Sequence, residues 1–215
     1  MKYLKIDGLT DVYPEPVEGT SEWYYCKLAK STFCDLYEAE EIINSGNVYD
    51  GMSCVLIHYP DAEVIRPFEV EENVYVDAPV FYEGVLYFLV VDFNQKKIQI
   101  VAYTPKSQDK STIAELPLSD VEDCYNLLLR VAPVLLIREA NDGYLNILWP
   151  EKKKIEIGDT EGLMFRDGDN LYCSEWYEDS EYHERIIVRD WNTGEVKEKF
   201  EGQMNRMPNG DIWIL

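Results

Sequence analysis

The fold is decided by the stretch from Val80 to Phe93, which reads VFYEGVLYFLVVDF. Apolar and aromatic residues of high strand propensity lie on both sides of Glu83-Gly84, a pair of the kind that joins two strands in a tight turn. Another turn at 94–97 leads into an apolar alternation at 98–103, and an outer segment follows near 112–118. The stretch therefore predicts a meander of four antiparallel strands.

The same unit, an acidic residue or Asn plus Gly followed by an apolar strand, recurs along the chain. Its copies begin at Glu18-Gly19, Asp50-Gly51, Glu83-Gly84, Asp167-Gly168 and Asn209-Gly210, and a degenerate copy has Ala132-Pro133 at the turn. Successive turns are 32 to 48 residues apart, a period typical of the four-stranded blades of a β-propeller.

The sequence thus predicts an all-β propeller of five or six short blades in a single domain spanning 1–215. Its ring would be closed by pairing of the last strand, 211–215, with an N-terminal strand at 2–6 or at 23–25. A β-sandwich with Greek-key connections is the alternative, because the same strands allow it.

Strand patterns dominate the chain outside these turns. They are clearest at 22–28, 54–59, 86–93, 98–103, 144–149, 171–176 and 185–191. Helical patterns occur at 36–44 and, more weakly, at 119–129, where Ser119 and Glu122 have the spacing of a capping box.

The composition excludes several classes of function. The 215 residues include 41 Asp and Glu but only 20 Lys and Arg, for a net charge of −21, which disfavours direct nucleic-acid binding. The apolar runs are far shorter than the roughly 18 residues that cross a membrane, and no leader pattern is evident. Five cysteines without a Cys-x-x-Cys pair are typical of reduced core residues. We therefore expect a cytoplasmic protein.

The stretch 80–89, together with 97–103 and 115–118, resembles a blade of kelch-related or F-box-associated propellers. That resemblance implies a propeller that presents a face to a protein partner. Five-bladed glycosidases also resemble the pattern at 79–87, and they use acidic residues at the propeller axis. The candidates for that chemistry are carboxylates near the starts of repeats: Asp50, Asp77, Glu83 and Asp167. Asp or Glu before Gly is equally ordinary turn chemistry.

The main candidate for a binding surface is an acidic run interleaved with aromatic residues. It comprises Glu175, Trp176, Tyr177, Glu178, Glu181 and Glu184. Aromatic side chains can anchor a protein partner, while a negative field steers a basic one toward them. We therefore expect a non-catalytic module that binds a basic protein, in the manner of an inhibitor or immunity protein. We expect no metal or cofactor, because no ligand motif of recognisable spacing occurs.

A carbohydrate-directed protein, either a lectin or a glycosidase, is the alternative function. It would require an exposed tryptophan beside carboxylates in a pocket, whereas core packing would bury these side chains. The tryptophans to be compared are Trp23, Trp149, Trp176 and Trp213.

Overall fold

A computed structural model describes residues 3, 5, 6, 8, 9, 12–30, 34–131, 133–207, 209 and 211–215. The chain divides into two compact units, Met1–Asp123 and Cys124–Leu215, called unit 1 and unit 2 below. Strands dominate both, so the predicted all-β class is confirmed. The single domain over 1–215 stays a prediction.

Unit 1 contains one sheet and one α-helix among its described residues. The elements are β1 (Glu15–Pro16), β2 (Trp23–Ala29), α1 (Leu36–Asn44), β3 (Met52–His58), β4 (Val64–Ile65), β5 (Val74–Val76), β6 (Val80–Tyr82), β7 (Val85–Asp92), β8 (Lys97–Thr104), β9 (Asp109–Pro117) and a 3-10 helix at Leu118–Asp120. The sheet order is β1-β2-β3-β5-β7-β8-β9, with β4 paired to β3 and β6 paired to β7. A parallel pair between Met52 and Tyr75 joins β3 to β5. The sheet therefore consists of two successive meanders, β1 to β4 and β6 to β9, joined by β5.

Local chemistry explains the turns and the helix start. Glu83 and Gly84 have φ angles of 50° and 82°, as a two-residue hairpin turn with both central residues left-handed requires. A Cβ on Gly19 would lie 2.2 Å from the carbonyl oxygen of Phe81, so this turn accepts only glycine. At the start of α1, the Asp35 backbone N–H donates to the Glu38 carboxylate across 2.8 Å, which satisfies one free donor.

Unit 2 contains two four-stranded sheets and a hairpin. Its strands are β10 (Leu127–Arg130), β11 (Leu135–Glu139), β12 (Tyr144–Trp149), β13 (Lys153–Glu156), β14 (Glu161–Asp167), β15 (Asn170–Glu178), β16 (Tyr182–Asp190), β17 (Val196–Glu201), β18 (Met204–Arg206) and β19 (Ile212–Ile214). Strands pair antiparallel in chain order within β10–β13 and within β14–β17. Ile137 and Ile147 from the first sheet share a buried cluster with Leu163 and Ile187 from the second. Met204 of the hairpin belongs to a second cluster with Ile186.

The repeated turn marks the first hairpin of most meanders. Gly19, Gly84 and Gly168 each join a first strand to a second one. Gly51 instead precedes β3, inside the first meander, so it does not begin a repeat. The corresponding turns before β11 and β19 include Ala132 and Gly210, which lie outside the described residues. Apart from β5, which lies between β3 and β7, the described strands thus form four four-stranded meanders followed by one hairpin.

No closed ring of blades is found among the described residues. The last strand, β19, pairs with β18, while β2 pairs with β1 and β3, so the predicted closure against 23–25 is wrong. Pairing across a short turn confines less chain than pairing between distant segments, which favours the local hairpin. The other predicted partner, 2–6, includes Lys2 and Leu4, which lie outside the described residues.

The other predictions of secondary structure are confirmed, with the exception of one helix. All seven predicted strands and the helix at 36–44 are confirmed. The predicted helix at 119–129 is wrong, because a short 3-10 helix and β10 occupy that segment. Leu127 and Leu129 are buried while Leu128 and Arg130 are half-buried, an alternation that fits a strand.

All five cysteines are buried and form no disulfide, as predicted. Burial raises the pKa of the thiols of Cys26, Cys34, Cys54 and Cys173. In the part of the chain that the structure describes, no helix is both long and apolar enough to cross a membrane.

Candidate functional site

The hairpin of β15 and β16 carries most of the predicted binding residues. Trp176 lies opposite Glu184, and Glu178 lies opposite Tyr182. Directly opposed residues, and residues two apart along a strand, share one face of a sheet. Trp176, Glu178, Tyr182 and Glu184 therefore form one surface, called the Trp176 face below.

The Trp176 face presents two stacked rings to solvent. The ring centroids of Trp176 and Tyr182 are 6.5 Å apart, with an angle of 15° between the ring planes, and the two residues are 46% and 56% exposed. The Tyr182 hydroxyl donates to Oε1 of Glu184 across 2.6 Å, which raises the pKa of Tyr182. Glu178 is exposed next to the pair. The surface combines aromatic anchors with two carboxylates.

The groups on the opposite face of the hairpin bind one another. Arg185 is ion-paired with Glu175, and its guanidinium carbon lies 5.0 Å from the centre of the Tyr177 ring. The Tyr177 hydroxyl donates to Oε2 of Glu201 across 2.9 Å, and the His183 ring stacks on that of Tyr177 at 5.1 Å. These groups are committed to one another, which leaves less capacity for an outside partner.

The structure thus separates the six predicted binding residues. Trp176, Glu178 and Glu184 lie on the Trp176 face, Glu175 and Tyr177 lie on the opposite face, and Glu181 is exposed in the turn. Tyr182 belongs to the same acidic run with interleaved aromatic residues but was not among the six predicted binding residues. Strand alternation carried across the β15–β16 turn would have found it, because Tyr182 precedes Glu184 by two residues.

A cavity of about 280 Å³ lies beside the Trp176 face in unit 2. Its lining includes Arg130, Glu139, Asp159, Gly162, Ser174 and Trp176. Gly162 is paired with Ser174, so these two residues occupy the same face of the sheet as Trp176. The absence of a side chain at Gly162 leaves room there.

Glu139 reaches this cavity from the end of β11. Its Oε1 accepts a hydrogen bond from the Leu163 backbone N–H across 2.6 Å, while Nε of Arg130 donates to the Leu163 carbonyl across 2.8 Å. The side chains of Glu139 and Arg130 thereby bind the backbone N–H and carbonyl of Leu163, whose strand, β14, lies at the edge of its sheet. Burial raises the pKa of Glu139 above its usual range. Its Oε2 lies 3.3 Å from where a Cβ of Gly162 would stand and accepts no hydrogen bond from the described residues.

Glu161, which also lines the cavity, is fully engaged. Arg189 binds both of its oxygens, with Nε–Oε1 at 2.6 Å and Nη2–Oε2 at 2.7 Å, and the Gly158 N–H donates to Oε2 across 3.1 Å. Burial alone would raise the pKa of Glu161, but the Arg189 guanidinium outweighs it and the pKa is lowered. Glu161 is therefore a charged structural group.

The four candidate catalytic carboxylates lie in an ion pair, in turns or just before a strand. Asp77 is ion-paired with Lys27 at 2.8 Å, Glu83 is exposed in the β6–β7 turn, and Asp167 is exposed at the β14–β15 turn. Asp50 is half-buried before β3. Asp50, Asp77 and Glu83 belong to unit 1, whereas Asp167 belongs to unit 2. None of the four lines the cavity beside Trp176.

The tryptophans that would distinguish a carbohydrate site differ in exposure. Trp23 is buried at 7% exposure, Trp149 is half-buried, and Trp213 is 55% exposed on β19. Of these four tryptophans, only Trp176 is exposed and also lines the cavity. It does so beside Glu139 and other carboxylates.

The chain matches no protein-family model and no curated protein. Among the described residues, no group of three or more His, Cys, Asp or Glu side chains is placed to hold a metal ion. The fold and the site therefore define an all-β protein with an exposed acidic-aromatic face and an adjoining small cavity.

Proposed function

We propose that this protein is a non-catalytic binding module that engages a basic protein partner through the Trp176 face. The observation that carries the proposal is the stacked pair of Trp176 and Tyr182, whose rings are both about half exposed. Aromatic side chains of this kind dominate binding energy at protein interfaces. Glu178 and Glu184 flank the rings, and the net charge of −21 favours encounter with a positive partner.

An inhibitor or immunity-type role toward a basic enzyme fits these features. Cytoplasmic location is part of the proposal, supported by five buried cysteines that form no disulfide. We further propose that the four-stranded meanders are blades of a propeller type, supported by their strand order and by the turn motif at Gly19, Gly84 and Gly168.

The proposal is tested with a basic probe peptide of nine residues, in which lysines and glycines alternate around one central arginine. Binding is measured by calorimetry and by tryptophan fluorescence at low salt and at about 150 mM salt, where charges are screened beyond about 8 Å. We expect Trp176→Ala to weaken binding at least about tenfold, as loss of an interface anchor does. We expect Glu178→Gln with Glu184→Gln to reduce the salt dependence.

Two matched controls lie in the same unit. Tyr177→Ala removes an aromatic ring from the opposite face, and Glu195→Gln with Glu198→Gln makes the same change in net charge at other exposed positions. Both controls should bind the peptide as the unaltered protein does. Equal loss in the controls, or no loss with Trp176→Ala, would remove the case for the Trp176 face.

A carbohydrate-directed function is the second candidate, favoured by the position of Trp176 at a cavity that carboxylates also line. Aromatic rings offer sugars an apolar platform, and carboxylates offer their hydroxyls acceptors. Titration with neutral oligosaccharides separates the two functions. Saturable binding of a neutral sugar that Trp176→Ala abolishes, with no binding of the basic peptide, would favour this candidate.

A further inference from the structure

We propose that the cavity beside Trp176 receives one arginine side chain of the basic partner, with Glu139 as its carboxylate ligand. This inference rests on the proposed function, since it names what the partner inserts next to the Trp176 face. It concerns Glu139 and Gly162, which were not predicted as site residues.

The size of the cavity suits one side chain. At about 280 Å³ the cavity lies near the lower end of the range of about 300–1,000 Å³ that is typical of small-molecule pockets, which leaves room for one arginine side chain. Gly162 contributes to that space, because a Cβ there would stand 3.3 Å from Oε2 of Glu139. A long, thin side chain can enter beside Trp176 without displacing the backbone.

The charge of the lining suits a cation. Three carboxylates, those of Glu139, Asp159 and Glu161, line the cavity together with one cation, Arg130. Arg189 already binds both oxygens of Glu161, so Arg130 faces two carboxylates that have no ion pair within the described residues. One further positive charge, supplied by a ligand, would bring the net charge of these groups, Arg189 included, to zero.

The position of Glu139 favours a guanidinium over an ammonium group. Its Oε1 is held by the Leu163 N–H at 2.6 Å, which fixes the carboxylate, and its Oε2 is left to accept a hydrogen bond from a ligand. Burial disfavours the ionised form of Glu139 and outweighs both the Leu163 hydrogen bond and the charge of Arg130, so its pKa is raised. A planar guanidinium can bind this carboxylate and stack on the indole of Trp176, which a lysine does less well.

The test replaces the central arginine of the probe peptide by citrulline, which has nearly the same shape but no charge. In the protein, Glu139→Gln removes the charge and keeps an oxygen for the Leu163 N–H, while Gly162→Ala narrows the cavity without changing charge. We expect each of these three changes to weaken binding about tenfold, which corresponds to about 1.4 kcal/mol. We also expect Glu139→Gln to weaken the citrulline peptide no further, because the pair is then already broken.

The amide resonances of Gly162 and Leu163 provide a second readout, because they should shift when the arginine peptide binds and stay in place with the citrulline peptide. A peptide that requires Trp176 but binds equally with citrulline, or equally to Glu139→Gln, would overturn this inference and leave the proposed function standing. Failure of the unaltered protein to bind the peptide at low salt would instead overturn both.

Discussion

The backbone N–H of Leu163 donates a hydrogen bond to Oε1 of Glu139 across 2.6 Å, joining the end of β11 to the edge strand β14. A buried donor that loses its acceptor costs about 1–3 kcal/mol. We therefore expect Glu139→Ala to lower the free energy of unfolding by that amount in urea titrations. Glu139→Gln, which keeps an acceptor oxygen, should lower it by less than about half as much. Equal destabilisation by both variants would contradict this role of the hydrogen bond.

The ion pair of Glu161 with Arg189 should be more costly to break. The Glu161 side chain is 1% exposed and that of Arg189 is 12% exposed, so removing one charge leaves the other without compensation. We expect Glu161→Gln to lower the free energy of unfolding by about 3 kcal/mol.

The double variant Glu161→Leu with Arg189→Met provides the control for that prediction. Because it buries no unpaired charge, it should be more stable than Glu161→Gln. If the loss of stability in the double variant equals the sum of the losses from Glu161→Leu and Arg189→Met made singly, the pair does not act as a unit.

Asp190 should contribute stability that depends on acid pH. Hydrogen bonds from Lys197 and from the backbone N–H of Thr193 lower the pKa of Asp190 from 3.8 to about 2. A lowered pKa in the folded state gives stability that is complete above pH 3.8 and is lost as the pH falls through about 2. The melting temperature of Asp190→Asn should therefore lie below that of the unaltered protein at pH 5, and the difference should shrink toward pH 2. A difference that stays constant over this range would contradict the assignment.

The C-terminal hairpin should depend on Met204 more than on Trp213. Met204 is 6% exposed and packs in a cluster with Ile186, whereas Trp213 is 55% exposed. Replacing a buried Met by Ala costs about 2–5 kcal/mol, so Met204→Ala should be clearly destabilising. Trp213→Ala should change the free energy of unfolding by less than about 1 kcal/mol, in the range of surface substitutions. The reverse order would mean that Trp213 is buried after all, as closure of a ring would require.

The sequence predicted the strands well because their signal is local. Alternation of apolar and polar side chains and the turn chemistry at Glu83-Gly84 specify a hairpin without reference to the rest of the chain. Ring closure is different, since it depends on pairing between distant segments. Nothing local distinguished a β19 paired to β18 from one paired to an N-terminal strand.

The candidate site could be predicted only in part for a related reason. The run from Glu175 to Glu184 revealed exposed acids and aromatic residues, but the register of β15 against β16 decided which of them share a face. Glu139 and Gly162 gave no signal, because their proximity arises from packing of one sheet against the next. The ion pair of Glu175 with Arg185 also required that register, in which the two residues lie opposite one another.

The central claim, that the Trp176 face binds a basic partner, is tested most directly by the affinity of the basic nine-residue peptide for the unaltered protein and for Trp176→Ala. The account predicts saturable binding at low salt that weakens as salt rises, and at least about a tenfold loss with Trp176→Ala. It also predicts unchanged binding with Tyr177→Ala on the opposite face. Affinity that is indifferent to Trp176, or equal losses on both faces, would contradict the claim.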